Sequence, residues 1–198
     1  HLSFYGEDYI LENFNSNRAN FQNCTSRDSF TKDFLQNKQS LSQQDLEERD
    51  LSEPYSIYTY RYFINSWPNL CWLAYADEKL VGVVISKADN HRGKRLRGYI
   101  AMLAVDSNFR KRRIGTNLVS LTIKGMEIMN ADECVLEALI NNYGALRLYG
   151  SLGFVRAKRL PKYYLNGLDA YRLKLYLKDP IHEYQKLISP TIEAPSPS

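Results

Sequence analysis

Residues 110–113 (Arg-Lys-Arg-Arg) form the most highly charged run of the chain. They follow an apolar run that ends at Val105 and precede a helical pattern that begins near Ile114. A turn from a strand into a helix presents free backbone N–H groups at the positive end of the helix, which suits a phosphate. The sequence therefore predicts an anion site here, although a solvated basic loop or a nuclear-localisation-like run has the same composition. The P-loop pattern GxxxxGK[ST] and the dinucleotide pattern GxGxxG are both absent.

Hydrophobic patterning predicts the elements that must position this loop. Apolar and alternating runs predict strands near residues 2–5 and over 71–76, 80–86, 95–105, 134–136, 154–160 and 171–177. Helical spacing predicts helices over residues 41–50, 57–66, 114–129 and 145–152. This order is typical of a mixed α/β domain without internal repeats, with the strand–loop–helix unit at 95–129 as its most informative part.

Composition excludes several classes of protein. The chain has 198 residues with 44% hydrophobic and 24% charged residues, which is typical of one globular domain and excludes collagen, coiled coil and wholesale disorder. The longest apolar stretch, Ile100 to Val105, is far shorter than the about 20 residues of a membrane helix. The three cysteines and three histidines are scattered, which argues against a zinc site and for a reducing compartment.

Charge is distributed unevenly along the chain. The net charge is +4, but residues 1–50 carry five basic and nine acidic side chains, so the remainder carries 21 and 13. Residues 87–113 alone hold nine basic side chains against Asp89 and Asp106. An acidic ligand is therefore expected to bind in this region.

The basic loop also resembles a known cofactor site. Residues 110–115, Arg-x-x-Arg-x-Gly, resemble the acetyl-CoA pyrophosphate loop of the GNAT acetyltransferases, usually R/Q-x-x-G-x-G/A. Three further segments, LSEPYSIY at 51–58, RLRGYIAMLAV at 95–105 and KYYLN at 162–166, are similar to the catalytic subunits of NatC N-terminal acetyltransferases. Arg113 replaces the first loop glycine, which would permit a positive φ or a close approach of phosphate. The resemblance covers residues 51–178; residues 1–50 are interpreted as an edge strand, a polar segment and a first helix, and 179–198 as a disordered, proline-rich tail.

The resemblance implies a GNAT acyl-CoA N-acyltransferase fold, an α/β (α+β) domain with about four helices around a mixed sheet. That sheet would be splayed between its fourth and fifth strands, where acetyl-CoA enters and pairs through its pantetheine arm with the fourth strand. No metal is expected. The implied cofactor-binding residues are Leu103, Val105, Arg110, Lys111, Arg112, Arg113, Ile114, Gly115, Thr116 and Asn142.

The same resemblance implies catalytic roles for Glu137 and Tyr149. Acyl transfer to an α-amine, whose pKa is about 7.7–8.0, needs a modest base for the amine proton and an acid for the departing thiolate. Glu137 would be the general base, acting through water, and Tyr149 the general acid or the group that orients the sulfur. Taken alone, Glu137 fits an exposed strand-end carboxylate and Tyr149 a core aromatic. Leu139 stands where the family usually has a second Glu.

An acceptor groove is also implied, with walls from two loops and one strand. Its residues would be Leu51, Glu53, Pro54, Tyr55, Tyr99, Tyr163 and Tyr164, although Tyr163 and Tyr164 also fit a half-exposed hairpin pair. The implied reaction is direct acetyl transfer in a ternary complex to nascent protein N-termini that begin with Met and a bulky hydrophobic residue. The implied partners are a large auxiliary subunit, a small Lsm-like subunit and the ribosome, in the cytoplasm.

Two alternatives remain open at the level of sequence. One is a GNAT enzyme that acetylates lysine side chains or a small amine. The other is a module without catalysis that binds CoA, or RNA through residues 87–113; the stacking aromatics of a known RNA-binding motif are missing, so no direct nucleic-acid specificity is expected. No association with a membrane is expected either.

Overall fold

The computed structural model describes residues 4–6, 9–13, 57–77, 79–93 and 95–178 of the chain. In these residues eight strands form one sheet: β1 (Phe4–Gly6), β2 (Tyr9–Asn13), β3 (Trp72–Ala76), β4 (Lys79–His91), β5 (Arg95–Val105), β6 (Glu133–Leu139), β7 (Val155–Leu160) and β8 (Ala170–Tyr176). Three α-helices flank it: α1 (Ile57–Ser66), α2 (Ile114–Ile128) and α3 (Tyr143–Ser151). The predicted order of elements is confirmed from residue 57 onward, whereas β2 lies in the segment for which no second strand was predicted.

Some predictions fall outside the described residues. These are the helix at 41–50, the tail from 179 onward, and the groove residues Leu51, Glu53, Pro54 and Tyr55. The described part therefore contains three of the four expected helices. No helix in this part of the chain has the length and apolar character needed to span a membrane.

Two strands are longer than their apolar runs predict. β4 extends to His91, beyond the predicted end at 86, because residues 87–91 pair with the start of β5. The turn that joins them is tight, with a positive φ at both Arg92 and Gly93. β6 includes the two carboxylates Glu133 and Glu137, which lie opposite cations on neighbouring strands. Charged residues thus enter strands wherever an adjacent strand supplies a partner.

The sheet has the order β1-β2-β3-β4-β5-β6-β8-β7 and one parallel pair, β5 with β6. That pair is short: Arg97, Gly98 and Tyr99 lie opposite Glu133, Cys134 and Val135. Beyond it β5 and β6 continue without pairing to each other, which confirms the predicted splay. It lies between the fifth and sixth strands by the present numbering, because the N-terminal segment contributes two strands rather than one.

A β-bulge marks the point where the splay opens. Ile85 lies opposite Met102 and Ser86 opposite Ile100, so Ala101 is an extra residue in β5. A bulge bends its strand and increases the local twist. Because the bulge directly follows the last pair between β5 and β6, we infer that it turns β5 away from β6.

The two faces of the sheet carry separate cores. On one face α2 and α3 cover a cluster that includes Leu118, Leu136 and Tyr149. On the other face α1 covers Ile85 and Met102. At Gly98 an added Cβ would collide with the sulfur of Met126, so this glycine lets α2 pack close to the paired end of β5.

A buried cluster of ion pairs links β5, β6 and β8 at the end of the splay where β5 and β6 still pair. Glu133 of β6 is 1% exposed, accepts a hydrogen bond from Arg97 Nε of β5 at 2.5 Å and forms an ion pair with Lys174 Nζ of β8 at 2.8 Å. Burial by itself would raise the pKa of Glu133, but the bonds from Lys174 and Arg97 outweigh it and lower the pKa below 4.5. The cluster therefore joins three strands at the base of the opening.

Stability should depend on this carboxylate in a defined pH range. Because the pKa of Glu133 is lower in the folded than in the unfolded protein, its stabilisation is complete above about pH 5 and lost as pH falls below 4.5. We expect Glu133→Gln to lower the free energy of unfolding at pH 7 by about 3 kcal/mol and to flatten its fall below pH 4.5. Urea unfolding at several pH values measures both effects. The control is Asp89→Asn, which removes a half-exposed ion pair with Lys87 and should change stability by less than about 1 kcal/mol; a Glu133 variant no less stable than this control would contradict the prediction.

Candidate active site

Glu137 lies on β6 just beyond the residues that pair with β5. Its side chain is 6% exposed, and both carboxylate oxygens accept hydrogen bonds. Arg172 Nε of β8 donates to Oε1 at 2.8 Å, and the Tyr99 hydroxyl of β5 donates to Oε2 at 2.9 Å. The carboxylate thus bridges the two strands that border the opening, and the sequence-based prediction of an exposed strand-end side chain does not describe it.

Tyr149 is the second residue with a predicted catalytic role. It lies on α3, packs edge to face with Phe154 at 5.5 Å, and belongs to the core on the α2–α3 side together with Leu136 and Ala138. Since side chains alternate along a strand, Glu137 between those two residues points to the other face. Burial raises the pKa of the Tyr149 hydroxyl, so it stays protonated at neutral pH. The carboxylate of Glu137 and the phenol of Tyr149 therefore lie on opposite faces of the sheet.

The backbone of the basic loop has the left-handed conformation that the glycine of the family pattern would adopt easily, although Arg113 stands at that position. Arg113 has φ +62° and Lys111 has φ +64°, both in the left-handed region. α2 begins at Ile114 with no side-chain cap on its first turn, and Gly115 and Thr116 follow in that turn. Residues 110–113 are all exposed. The loop therefore offers backbone N–H groups and several cations to an anion, as the sequence predicts.

The end of β5 offers free backbone to an extended ligand. Past Tyr99, the residues Leu103 and Val105 have no strand partner on the β6 side within the described part of the chain. Their side chains lie against Gly115 on the α2–α3 face. An extended chain in the splay could pair with this edge as a strand would.

Asn142 has a demonstrable structural role at the start of α3. Its side-chain oxygen accepts from the backbone N–H of Ala145 at 2.9 Å, which is an N-cap. Its expected contact with the cofactor stays a prediction.

The β7–β8 loop carries the two predicted groove tyrosines, and the structure separates their environments. Tyr163 is 44% exposed whereas Tyr164 is 7% exposed, and their rings pack edge to face at 5.0 Å. Tyr164 packs in a small cluster with Leu139, Leu160 and Ala170. Leu139, which stands where the family usually has a second Glu, therefore packs against the buried Tyr164 of the tyrosine loop. Of the two tyrosine rings, that of Tyr163 is the exposed one.

Two site residues were missed by the sequence analysis, Arg172 and Asp169. Asp169 organises the tyrosine loop, since it accepts from the backbone N–H of Lys162 at 2.8 Å and from Arg159 Nε at 2.8 Å. These two bonds lower the pKa of Asp169. Nothing in the local sequence marks either residue, because their roles come from strand pairing and loop closure. No group of three or more His, Cys, Asp or Glu side chains in the described ranges could hold a metal ion.

Comparisons with known proteins agree with this geometry. Residues 41–154 match the family model "Acetyltransferase (GNAT) family". The chain is 60% identical over 130 residues to N-alpha-acetyltransferase 30 of Xenopus laevis, covering 66% of this chain and 48% of that protein. It is 53% identical over 135 residues to N-alpha-acetyltransferase MAK3 of Arabidopsis thaliana, covering 68% of this chain and 70% of the relative. The chain spans about half the length of the Xenopus relative and 36% of the Homo sapiens one.

A solved structure extends the likeness to three dimensions. A chain in the crystal structure of the NatC complex bound to Gag peptide and CoA superposes with a TM-score of 0.69 and 38% identity, covering 86% of this chain and 99% of that one. One assignment agrees with these matches and with two features of the fold, the separation of β5 from β6 and the basic loop at the start of α2. The chain belongs to the GNAT acetyltransferase family and, within it, to the N-alpha-acetyltransferases.

Proposed function

We propose that this protein transfers the acetyl group of acetyl-CoA to the α-amino group of nascent proteins that begin with Met and a bulky hydrophobic residue. The observation that carries the proposal is the buried carboxylate of Glu137, which Arg172 and Tyr99 hold where β5 and β6 separate. Transfer is direct, within a ternary complex of enzyme, acetyl-CoA and peptide. The NatC complex whose structure binds a peptide and CoA has the same fold, which supports this class of reaction.

The basic loop and the free edge of β5 would hold the cosubstrate. The pyrophosphate would lie against residues 110–113 and the first turn of α2, where Ile114, Gly115 and Thr116 present their N–H groups. The pantetheine arm would extend along the backbone of Leu103 and Val105 into the splay. Asn142 lies at the start of α3, which packs next to this region.

The two catalytic side chains divide the proton transfers. The neutral α-amine attacks the thioester carbon, a C–N bond forms, and the C–S bond breaks. Glu137 accepts the proton that the attacking nitrogen releases, through a water molecule, and Tyr149 donates its hydroxyl proton to the departing sulfur. Each positioned acid or base typically accelerates such a reaction by about 10²–10⁴-fold.

The acceptor peptide would enter from the face on which Glu137 lies. Tyr99 and the exposed ring of Tyr163 would form apolar walls with polar groups at their edges, which suits a hydrophobic side chain. Leu51, Glu53, Pro54 and Tyr55 would complete the groove. The sequence resemblance to NatC catalytic subunits implies that a large auxiliary subunit and a small Lsm-like subunit would assemble with this chain at the ribosome, in the cytoplasm.

Glu137→Gln should lower kcat by about 10²–10³-fold, because the amide keeps the shape but accepts no proton at this position. The KM for acetyl-CoA should change little, since the proposed cofactor contacts are made by residues 103–116 and by Asn142 rather than by Glu137. Steady-state assays of CoA release measure both constants. The control is Glu127→Gln on the exposed side of α2, which should keep wild-type kcat; a Glu137 variant with wild-type kcat would refute the assignment of the base.

Arg113→Gly should separate backbone strain from charge in the cofactor loop. A non-glycine residue in the left-handed region costs about 1 kcal/mol, so the variant should be more stable by about this amount. Loss of one cation should raise the KM for acetyl-CoA several-fold. Arg112→Gly is the matched control, because it removes the same charge without relieving a positive φ and should not gain stability. Equal changes in the unfolding free energy of the two variants would show that Arg113 is not strained.

A peptide panel that varies the first two residues tests the acceptor. We expect peptides that begin Met-Leu, Met-Ile or Met-Phe to exceed Ser- or Ala-initiated peptides in kcat/KM by at least about tenfold, as apolar pockets discriminate. CoA release with acetyl-CoA is the readout. Equal rates across the panel would contradict the proposed specificity. Activity on peptides with a blocked α-amine and a free lysine would favour the alternative, lysine acetylation.

A further inference from the structure

We propose that Arg172 is a positioning residue, which holds the carboxylate of Glu137 at the opening of the splay. The inference rests on the proposed function, because it gives Arg172 its role through Glu137. Arg172 lies on β8, outside the motifs that define the loop and the tyrosine segment. Within the described ranges, no recorded hydrogen bond or ion pair links it to the predicted cofactor-binding residues.

The strand pairing makes β8 the fixed support for Glu137. β6 pairs with β8 through seven residue pairs, from Glu133 opposite Tyr176 to Leu139 opposite Ala170, but with β5 through only three. Glu137 lies directly opposite Arg172 in that ladder. Directly opposite side chains on adjacent strands share a face and are close enough to interact.

The hydrogen bonds fix the orientation of the carboxylate. Arg172 Nε donates to Oε1 at 2.8 Å, while the Tyr99 hydroxyl donates to Oε2 at 2.9 Å from the other wall of the opening. A flexible glutamate side chain is therefore held from both sides of the splay. Without Arg172 it would keep only the bond from β5, the strand that separates from β6. Both hydrogen bonds have the ionised carboxylate as acceptor, but only the bond from Arg172 also joins two opposite charges, so Arg172 is the stronger anchor.

Arg172 has little to do with the core. Its side chain is 40% exposed, and Glu137 is its one ion-pair partner among the described residues. Partly exposed ion pairs contribute little to stability. On its other side Arg172 lies opposite Lys158 of β7, a like charge that favours the contact with Glu137. Lys158 makes no hydrogen bond or ion pair to Glu137 in the part of the chain that the structure describes.

The experiment compares Arg172→Gln, Arg172→Lys and the control Lys158→Gln in the full chain with acetyl-CoA and an acceptor peptide. We expect Arg172→Gln to lower kcat by about 10–100-fold, as misplacement of a catalytic group does, with the KM for acetyl-CoA within about twofold of wild type. The thermal midpoint should stay within about 3 °C of wild type. Arg172→Lys should recover part of kcat, and Lys158→Gln should keep all of it.

A double mutant decides whether Arg172 acts through Glu137. In the Glu137→Gln background, Arg172→Gln should cause no further loss of kcat, because no carboxylate remains to be positioned. Additive losses, a wild-type kcat in Arg172→Gln, or a raised peptide KM with unchanged kcat would each overturn the proposal. If Glu137→Gln alone keeps wild-type kcat, the assignment of the base fails; if it loses activity and Arg172→Gln does not, only the positioning role fails.

Discussion

The site depends on the short pairing between β5 and β6. Only three residue pairs join these parallel strands, and the bulge at Ala101 follows at once. Had the ladder continued, the backbone of Leu103 and Val105 would bond to β6 and no ligand could lie between the strands. The opening can persist because each strand keeps its other neighbour: β5 pairs with β4 along its whole length, and β6 with β8. The missing hydrogen bonds are therefore confined to one edge of each strand.

Charged side chains stabilise this opened sheet where apolar packing cannot. The Glu133 cluster joins β5, β6 and β8 at the paired end, and the contacts of Glu137 join the same three strands where the gap begins. Both carboxylates lie on the face opposite the α2–α3 core. The first is buried and structural, whereas the second borders the opening and has the chemistry of a base. Two carboxylates on the same face of β6 thus have different surroundings, one at the paired end and one at the opening, where the proposed base lies.

The loop before α2 shows how one departure from a family pattern is accommodated. Arg113 keeps the left-handed backbone that glycine would adopt more easily, and so the first turn of α2 stays open to an anion. Leu139 is a second departure with a different outcome, because it joins the apolar cluster beneath Tyr164. Replacement of the glycine by Arg113 keeps the left-handed backbone of the loop, whereas replacement of the carboxylate by Leu139 adds an apolar contact to Tyr164 in the neighbouring loop.

Local patterns in the sequence determined the order of strands and helices from residue 57 onward, the strand–loop–helix unit and, through resemblance, the GNAT fold, and they predict Glu137 and Tyr149 as its reactive groups. These features depend on residues close in the chain, whose periodicity and charge are visible in one dimension. Only the tertiary structure decided that β4 and β6 extend beyond their apolar runs, that Tyr164 is buried while Tyr163 is exposed, and that Arg172 contacts Glu137. The reason is that charged strand residues are stabilised by partners on adjacent strands, and Arg172 lies 35 positions from Glu137 along the chain.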